Sequence, residues 1–313
     1  NRRAFIVGIK STSLSKKEKI FLKKYKPWGV ILFSRNLKKF KQIKKLTKDI
    51  RYIFKDKKYP ILIDQEGGRI NRLSGLIDTS IFTAEYFGNL FKKNKKKFNI
   101  FYKVYINQIS YLLNELGINI NTVPVLDIRY SKTSNIIGDR SYSRIAKNVS
   151  NIGDFCIKEF SKMNIGTVIK HIPGHGLAKV DSHKKTPLIK NNLNFLKKND
   201  FFVFKNKKTY FAMTAHVIYY NLDPNNVVTH SSKIINFIRN EIGYKNLIIS
   251  DDVSMKSLKH SIKKNTQRAL LSGCNLILHC NAKYSEMRIV ANNSPFVDKF
   301  IVKKTSQFYN FLS

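Results

Sequence analysis

A (β/α)8 barrel of the TIM type, in a single α/β domain, is the fold class this sequence predicts. Three observations carry it. Short apolar, β-branched runs recur eight times along 313 residues. Amphipathic stretches of helical period separate them. Several runs are almost uninterruptedly hydrophobic, as parallel strands covered on both faces must be. Alternation of the two patterns implies βαβ units and a parallel sheet, and eight units in this length suggest closure into a barrel. A doubly wound open sheet is the alternative. No internal repeat, linker or composition shift marks a boundary, so residues 1–313 read as one domain.

The first strand candidate is 4–9, followed by Ser15-Lys16-Lys17-Glu18, a capping box ahead of Ile20, Phe21 and Leu22. Strand 29–33 precedes a helix over 36–54, with apolar residues at Leu37, Phe40, Ile43, Leu46, Ile50 and Ile53. Strand 61–64 comes next, then helix 98–116, strand 120–127, helix 148–163 and strand 166–171. Strands 211–216, 247–251 and 276–279 alternate with helices 232–242 and 262–271. Asp64, Asp127, His171, His216 and Asp251 each stand at the C-terminal end of an apolar run. In a barrel all those ends lie on one face, where active sites belong. An open sheet would also align them.

Composition narrows the function classes. Hydrophobic residues make up 42% of the chain and aromatics 12%, enough for a packed core. No run approaches the roughly 20 apolar residues of a membrane span. The first eight residues are basic but contain no long apolar targeting region. Cys156, Cys274 and Cys280 are odd in number and scattered, so they read as small buried hydrophobes in a reducing compartment. The net charge is +38, from 58 basic and 20 acidic residues, and predicts attraction to polyanions. Yet the lysines spread along the whole chain, with clusters at 38–45, 92–97 and 205–208 that resemble solvated helix faces. No nucleic-acid module accompanies them, and no specific nucleic-acid partner is expected.

Chemistry concentrates in Lys170-His171-Ile172-Pro173-Gly174-His175-Gly176 and Asp181-Ser182-His183. Three of the seven histidines fall here, on a segment that proline and glycine keep from being helical. Asp181 can hold one ring nitrogen of His183 while the other faces substrate; a surface turn is the plainer reading. Asp251 and Asp252 follow a buried run, and adjacent acids on a strand point to opposite sides, so one faces the pocket while the other caps a helix or meets a base. His171, His175, His183, Asp181 and Asp251 could alternatively gather Zn²⁺ in a metallohydrolase, although Lys170 would set an ammonium beside the metal. His216 and His279 read as satisfied core histidines. Asp64-Gln65-Glu66-Gly67-Gly68-Arg69, continuing to Arg72, and Gly138-Asp139-Arg140-Ser141 supply carboxylates and guanidinium groups suited to a hydroxyl-rich ligand, or to surface ion pairs.

Taken in order, these blocks resemble a known family. Ile63-Asp64-Gln65-Glu66-Gly67-Gly68-Arg69, Pro124-Val125-Leu126-Asp127, the Lys170–Gly176 segment, Asp181-Ser182-His183, Met213-Thr214-Ala215-His216 and Ser250-Asp251-Asp252-Val253-Ser254-Met255 are similar to those of bacterial β-N-acetylglucosaminidases (β-hexosaminidases) of glycoside hydrolase family 3. The likeness is to the single-domain, cytoplasmic branch of peptidoglycan recycling, and it covers nearly the whole chain. It implies a (β/α)8 barrel and a retaining exo-enzyme that removes N-acetylglucosamine from 1,6-anhydro-muropeptides through a covalent glycosyl-enzyme. It implies Asp251 as nucleophile, His183 as acid/base and Asp181 as the partner of His183. Asp64, Arg72, Arg140, Lys170 and His171 would bind the sugar, with no metal or other cofactor, in a monomer. Phosphorolysis through the same intermediate is the alternative, since an imidazole repels phosphate less than a carboxylate does. Ile172, Tyr142 and Val253 stand where the family more often has Phe, Phe and Leu.

Overall fold

A computed structural model describes residues 2–131, 133, 135–182 and 185–312. Eight parallel strands close into a barrel: β1 (Arg3–Gly8), β2 (Pro27–Leu32), β3 (Ile61–Ile63), β4 (Ile120–Asn121), β5 (Gly166–Ile172), β7 (Phe211–Thr214), β9 (Leu247–Asp252) and β10 (Leu276–His279). They neighbour one another in chain order, and β1 pairs with β10, with Ile6 opposite Leu278. That pairing rules out the open sheet. β6 (Leu188–Ile189) and β8 (Ile218–Tyr219) form a separate parallel pair in the loops after β5 and β7.

The predicted strand 120–127 is shorter than expected. Pro124 has no N–H to give the ladder. Its carbonyl still accepts from Lys170 N at 3.2 Å, and Leu126 N donates to Lys170 O at 2.7 Å, so the chain follows β5 without a continuous strand.

Helices α1 (Lys16–Tyr25), α2 (Phe40–Phe54), α3 (Ala84–Lys93), α4 (Lys95–Glu115), α5 (Ala146–Lys162), α6 (Leu193–Lys198), α7 (Ser232–Phe237), α8 (Ile262–Leu271), α9 (Tyr284–Asn293) and α10 (Lys299–Phe311) surround the barrel. The capping box forms as expected: Glu18 N donates to Ser15 Oγ at 3.2 Å and Ser15 N to Glu18 Oε2 at 2.9 Å. Helix α2 begins later than its periodicity suggests, because Asn36 turns its amide inward to Ile9 O and Ser11 O at 2.9 and 2.7 Å. The helix predicted over 232–242 is α7 followed by one wide π turn, Ile238–Ile242, stopped at Gly243 with φ 83°.

Inside the barrel, Ala4, Ile6, Trp28, Ile31, Leu62, Ile120, Val168, Phe211, Met213, Leu247, Ile249, Leu276 and Leu278 fill the centre. Helix α10 plugs the N-terminal end. Trp28 Nε1 donates to Thr305 Oγ1 at 2.8 Å, and the Phe308 ring stands edge-on to Phe211 with centroids 5.1 Å apart. At Gly166 a Cβ would lie 2.6 Å from Phe308 Cε2, so the plug needs glycine there. Among the described residues no helix is long and apolar enough to cross a membrane.

Truncating this plug should destabilise the barrel without touching the opposite face. Phe308→Ala is expected to cost about 3–5 kcal/mol in urea unfolding. Turnover by the remaining folded fraction should stay unchanged; a wild-type unfolding midpoint would contradict this role for α10.

Candidate active site

The site follows from strand periodicity. Side chains alternate across a strand, so the inward set continues one residue beyond the apolar fill. On β3 the inward sequence runs Leu62 then Asp64, and on β5 Val168 then Lys170. On β9 it runs Ile249 then Asp251, on β10 Leu278 then Cys280, and on β2 Ile31 then Phe33. These ends border a pocket enclosing about 760 Å³, its open mouth included.

Lys170 is its electrostatic centre. Its side chain is buried, and Nζ lies 2.8 Å from Asp64 Oδ1, 2.7 Å from Glu66 Oε1 and 2.9 Å from Thr122 Oγ1. Thr122 also bonds Asp64 Oδ1. Arg140 grips Glu66 with two parallel bonds, Nε to Oε2 at 2.7 Å and Nη2 to Oε1 at 2.8 Å. Arg72 Nη2 stands 3.5 Å from Asp64 Oδ2, and its guanidinium lies over the Phe33 ring at 5.3 Å. Burial alone would push the Asp64 carboxyl up, but Lys170 and Arg72 reverse this and hold it far below the usual range. Glu66 likewise drops to about 2, its burial overcome by Arg140 and Lys170. Lys170 is raised: desolvation opposes its charge, and Asp64 and Glu66 outweigh it.

Asp127, fully buried, organises the next loop. Its Oδ2 lies 2.6 Å from His171 Nδ1, and its Oδ1 accepts from His175 N at 2.7 Å. Nδ1–H given to a carboxylate directs Nε2 of His171 away from Asp127. The imidazoles of His171 and His175 are 5.6 Å apart, and His175 Nε2 meets Ser182 Oγ at 2.9 Å. His175 is lowered to about 4, chiefly by burial and then by His171, so it is neutral. Glycine is required at 176, where a Cβ would collide with the Ile128 carbonyl. Among the described residues no group of three His, Cys, Asp or Glu side chains is arranged to hold a metal ion.

Asp251 and Asp252 divide their work. Asp251 faces the pocket, its N donates to Thr214 Oγ1 at 3.3 Å, and its Oδ1 accepts from Asp252 N at 2.7 Å. Asp252 caps no helix among the described residues, while its charge acts on the Arg35 guanidinium. It braces the following turn, accepting from Ser254 N and Oγ at 3.0 and 2.8 Å and from Cys280 N at 3.3 Å, because the chain leaves β9 through a turn rather than a helix. His216 is a satisfied core histidine, held by Thr229 Oγ1 at 2.7 Å and Asp252 O at 3.1 Å. His279 pairs with Glu286 at 3.1 Å.

Asp64, Arg72, Arg140, Lys170, His171 and Asp251, scattered over nearly two hundred positions, thus border one pocket. Asp181 lies beside it in sequence, accepting from Lys185 N at 2.9 Å through its carbonyl, and Ser182 lines the pocket. His183 lies outside the described residues. Arg69, from the same block as Arg72, serves the loop instead: it pairs with Asp139 at 2.8 Å and donates to three carbonyls of 135–137. Glu66 and Asp127 were visible as residues but not as anchors, since their roles depend on partners distant in sequence. Phe33, Met255 and Cys280 line the pocket without any local signature. Cys280 is thus not the fully buried hydrophobe expected: it is partly exposed at the mouth, while Cys156 and Cys274 are buried.

A closed parallel barrel with strand-end carboxylates facing buried cations is the build of a barrel hydrolase that handles hydroxyl-rich ligands. The chain belongs to glycosyl hydrolase family 3: residues 6–304 match its N terminal domain. A "Beta-hexosaminidase" of Nitrosomonas eutropha is 30% identical over 286 residues, spanning 88% of this chain and 80% of that protein. One of Haemophilus ducreyi is 31% identical over 287 residues, with the same 88% and 80% coverage. Among solved structures, NagZ from Neisseria gonorrhoeae in complex with N-trifluoroacetyl-D-glucosamine superposes with a TM-score of 0.88 at 24% identity, covering 100% of this chain and 90% of that one.

The charge network sets the acid response. Glu66 and Asp64 have folded values below their ordinary 4.5 and 3.8, so their contribution is present above those values and is lost as pH falls through the folded ones. His175, lowered from 6.5 to about 4, takes up a proton more readily when unfolded, so it too weakens the fold as pH drops through that interval. Urea midpoints should therefore fall from pH 6.5 towards 2. Lys170→Met should cost about 3–5 kcal/mol at pH 7 by leaving two buried carboxylates without their shared cation. A neutral effect would deny the cluster its structural role.

Proposed function

We propose that this chain is a β-hexosaminidase: a retaining exo-β-N-acetylglucosaminidase whose single barrel domain, residues 1–313, releases N-acetylglucosamine from 1,6-anhydro-muropeptides. The observation that carries the reading is Asp251 at the inward end of β9, across one pocket from the Asp64–Lys170–Glu66–Arg140 cluster. Family membership and the names of the relatives support the activity. The substrate is a small carbohydrate, and the setting is cytoplasmic cell-wall recycling by a monomer with no metal.

Asp64, Arg72, Arg140, Lys170 and His171 bind hydroxyl and carbonyl groups and orient the sugar. Asp64 and Glu66 stay ionised as acceptors because Lys170, Arg72 and Arg140 hold their protons off. Arg72, braced on Phe33, presents its guanidinium at the pocket wall. In the first step an Asp251 oxygen bonds to the anomeric carbon while the glycosidic bond breaks. His183, with Asp181 as its partner in this reading, gives its proton to the leaving oxygen. In the second step water attacks the same carbon, His183 takes the water's proton, and Asp251 departs as carboxylate. Ser182, fixed by His175 and lining the pocket, supports placing His183 there.

A fluorinated N-acetylglucosamine analogue should leave one sugar on the peptide containing Asp251; a sugar on another peptide would reassign the nucleophile. Asp251→Asn should lower kcat on a chromogenic β-N-acetylglucosaminide by roughly 10³-fold or more. His183→Ala should lower it less with an activated leaving group than with a sugar leaving group. Product analysis with phosphate present should give free N-acetylglucosamine; sugar-1-phosphate as main product would mean phosphorolysis.

A further inference from the structure

The polar pocket has an apolar rim. Ile70, from the turn after β3, and Ile136 and Ile137, from the loop after β4, all border it. Ile137 is buried, while Ile70 and Ile136 keep part of their surface exposed. None of the three belongs to a hydrophobic cluster of the core among the described residues. Core packing therefore does not account for their place beside charged groups.

Hydrogen bonds to their backbone hold them instead. Arg69 Nη2 lies 2.7, 2.8 and 3.1 Å from the carbonyl oxygens of Asn135, Ile136 and Ile137, and Arg69 Nε donates to Asp139 Oδ1 at 2.8 Å. Arg140 reaches back from the far end of the segment. Its Nη1 donates to Ile136 O at 3.1 Å while Nε and Nη2 hold Glu66. Ile70 follows Arg69 in a tight turn, with Ile70 N donating to Gly67 O at 3.1 Å and Glu66 N to Ile70 O at 3.1 Å. Two arginines, one from each loop, thus lace the turn after β3 to the loop after β4. A guanidinium that grips carbonyls fixes the backbone and leaves the isoleucine side chains out of the latch.

The place of this rim decides which part of a ligand meets it. Asp64, Lys170 and Asp251 stand at strand ends, whereas Ile136 and Ile137 lie well past the end of β4. The Arg69 side chain that secures them is 43% exposed, so the latch sits at the outer edge. A sugar whose anomeric carbon faces Asp251 sends its leaving group out past this edge.

We propose that Arg69 is a positioning residue for the leaving group: by holding Ile136 and Ile137 beside Ile70 it builds an apolar shelf that receives aglycones with an apolar face. This rests on the hexosaminidase reading above. Each methylene buried on such a shelf strengthens binding roughly four-fold. That gain is shared by the bound substrate and the transition state, so it lowers KM and leaves kcat alone.

The test compares methyl and hexyl β-N-acetylglucosaminides, whose alkoxide leaving groups are alike in chemistry and differ in apolar surface. Wild type should favour the hexyl glycoside by roughly ten-fold or more in kcat/KM, through KM. Arg69→Met and Ile136→Ser should each cut that preference by about three-fold or more, with kcat/KM for the methyl glycoside within about two-fold of wild type. Ile136→Ser leaves both arginines in place, so it reads the shelf even where Arg69→Met fails to fold. A purely structural role for Arg69 would lower turnover of both glycosides alike, and that result overturns the proposal. So does a wild type that takes both alkyl groups equally, or a preference that survives in both variants. Absence of turnover of either glycoside by wild type would instead overturn the hexosaminidase reading, and the shelf with it.

Discussion

The ammonium of Lys170, enclosed between Asp64 and Glu66, is the contact on which the barrel mouth depends. Each of these charges alone would cost several kcal/mol to bury. Together with Arg140 and Arg72 they form a group of two carboxylates and three cations in which every carboxylate has a cation within 3.5 Å. Such a cluster tolerates no partial assembly. Lys170 arrives on β5, Asp64 and Glu66 come at and after the end of β3, and Arg140 from the loop after β4, so closure of the cluster also ties the loops after β3 and β4 to strand β5. Its excess positive charge faces the pocket that Asp251 enters from β9, which makes the wall polar, rigid and ready to meet oxygen-rich ligands before any ligand arrives.

A second layer steadies the first. Asp127 has no exposed surface and gives all its accepting capacity to the 171–175 segment. It holds the His171 ring and the His175 backbone with one carboxylate, so two side chains take position from a single buried anchor. His175 passes that order on to Ser182. Against this matched interior, the net charge of +38 belongs to the surface: the lysines of 92–97 are all exposed. Surface charge of that size governs solubility and encounter with anions more than it governs the fold.

Much of the architecture was legible in the chain. The eight apolar runs became the eight barrel strands, and the capping box at Ser15 and the helix over 262–271 formed as their local chemistry dictates. Helices α3, α6, α9 and α10 were not legible, because their apolar residues answer to neighbours far away: Phe308 packs on Phe211 and against Gly166 at the barrel end. The apolar run 120–127 gives only a two-residue strand, Ile120–Asn121, because hydrophobicity does not register that Pro124 has no N–H for the ladder. At the site, the residue types and the strand-end positions of Asp64, Lys170 and Asp251 were readable. The assignment of Asp252 to a turn and the arrival of Phe33, Met255 and Cys280 at the pocket were not.

By itself, then, the sequence determined which residues are apolar at period two and period 3.6, where proline and glycine break the chain, and which ionisable groups end up at strand tips. These are local properties, carried by neighbours along the backbone. Only the tertiary structure decided which charges neutralise each other. That Glu66 belongs to Lys170 and Arg140 and that Asp127 serves His171 are facts of through-space distance, and Coulomb energy and desolvation depend on distance and burial rather than on order in the chain.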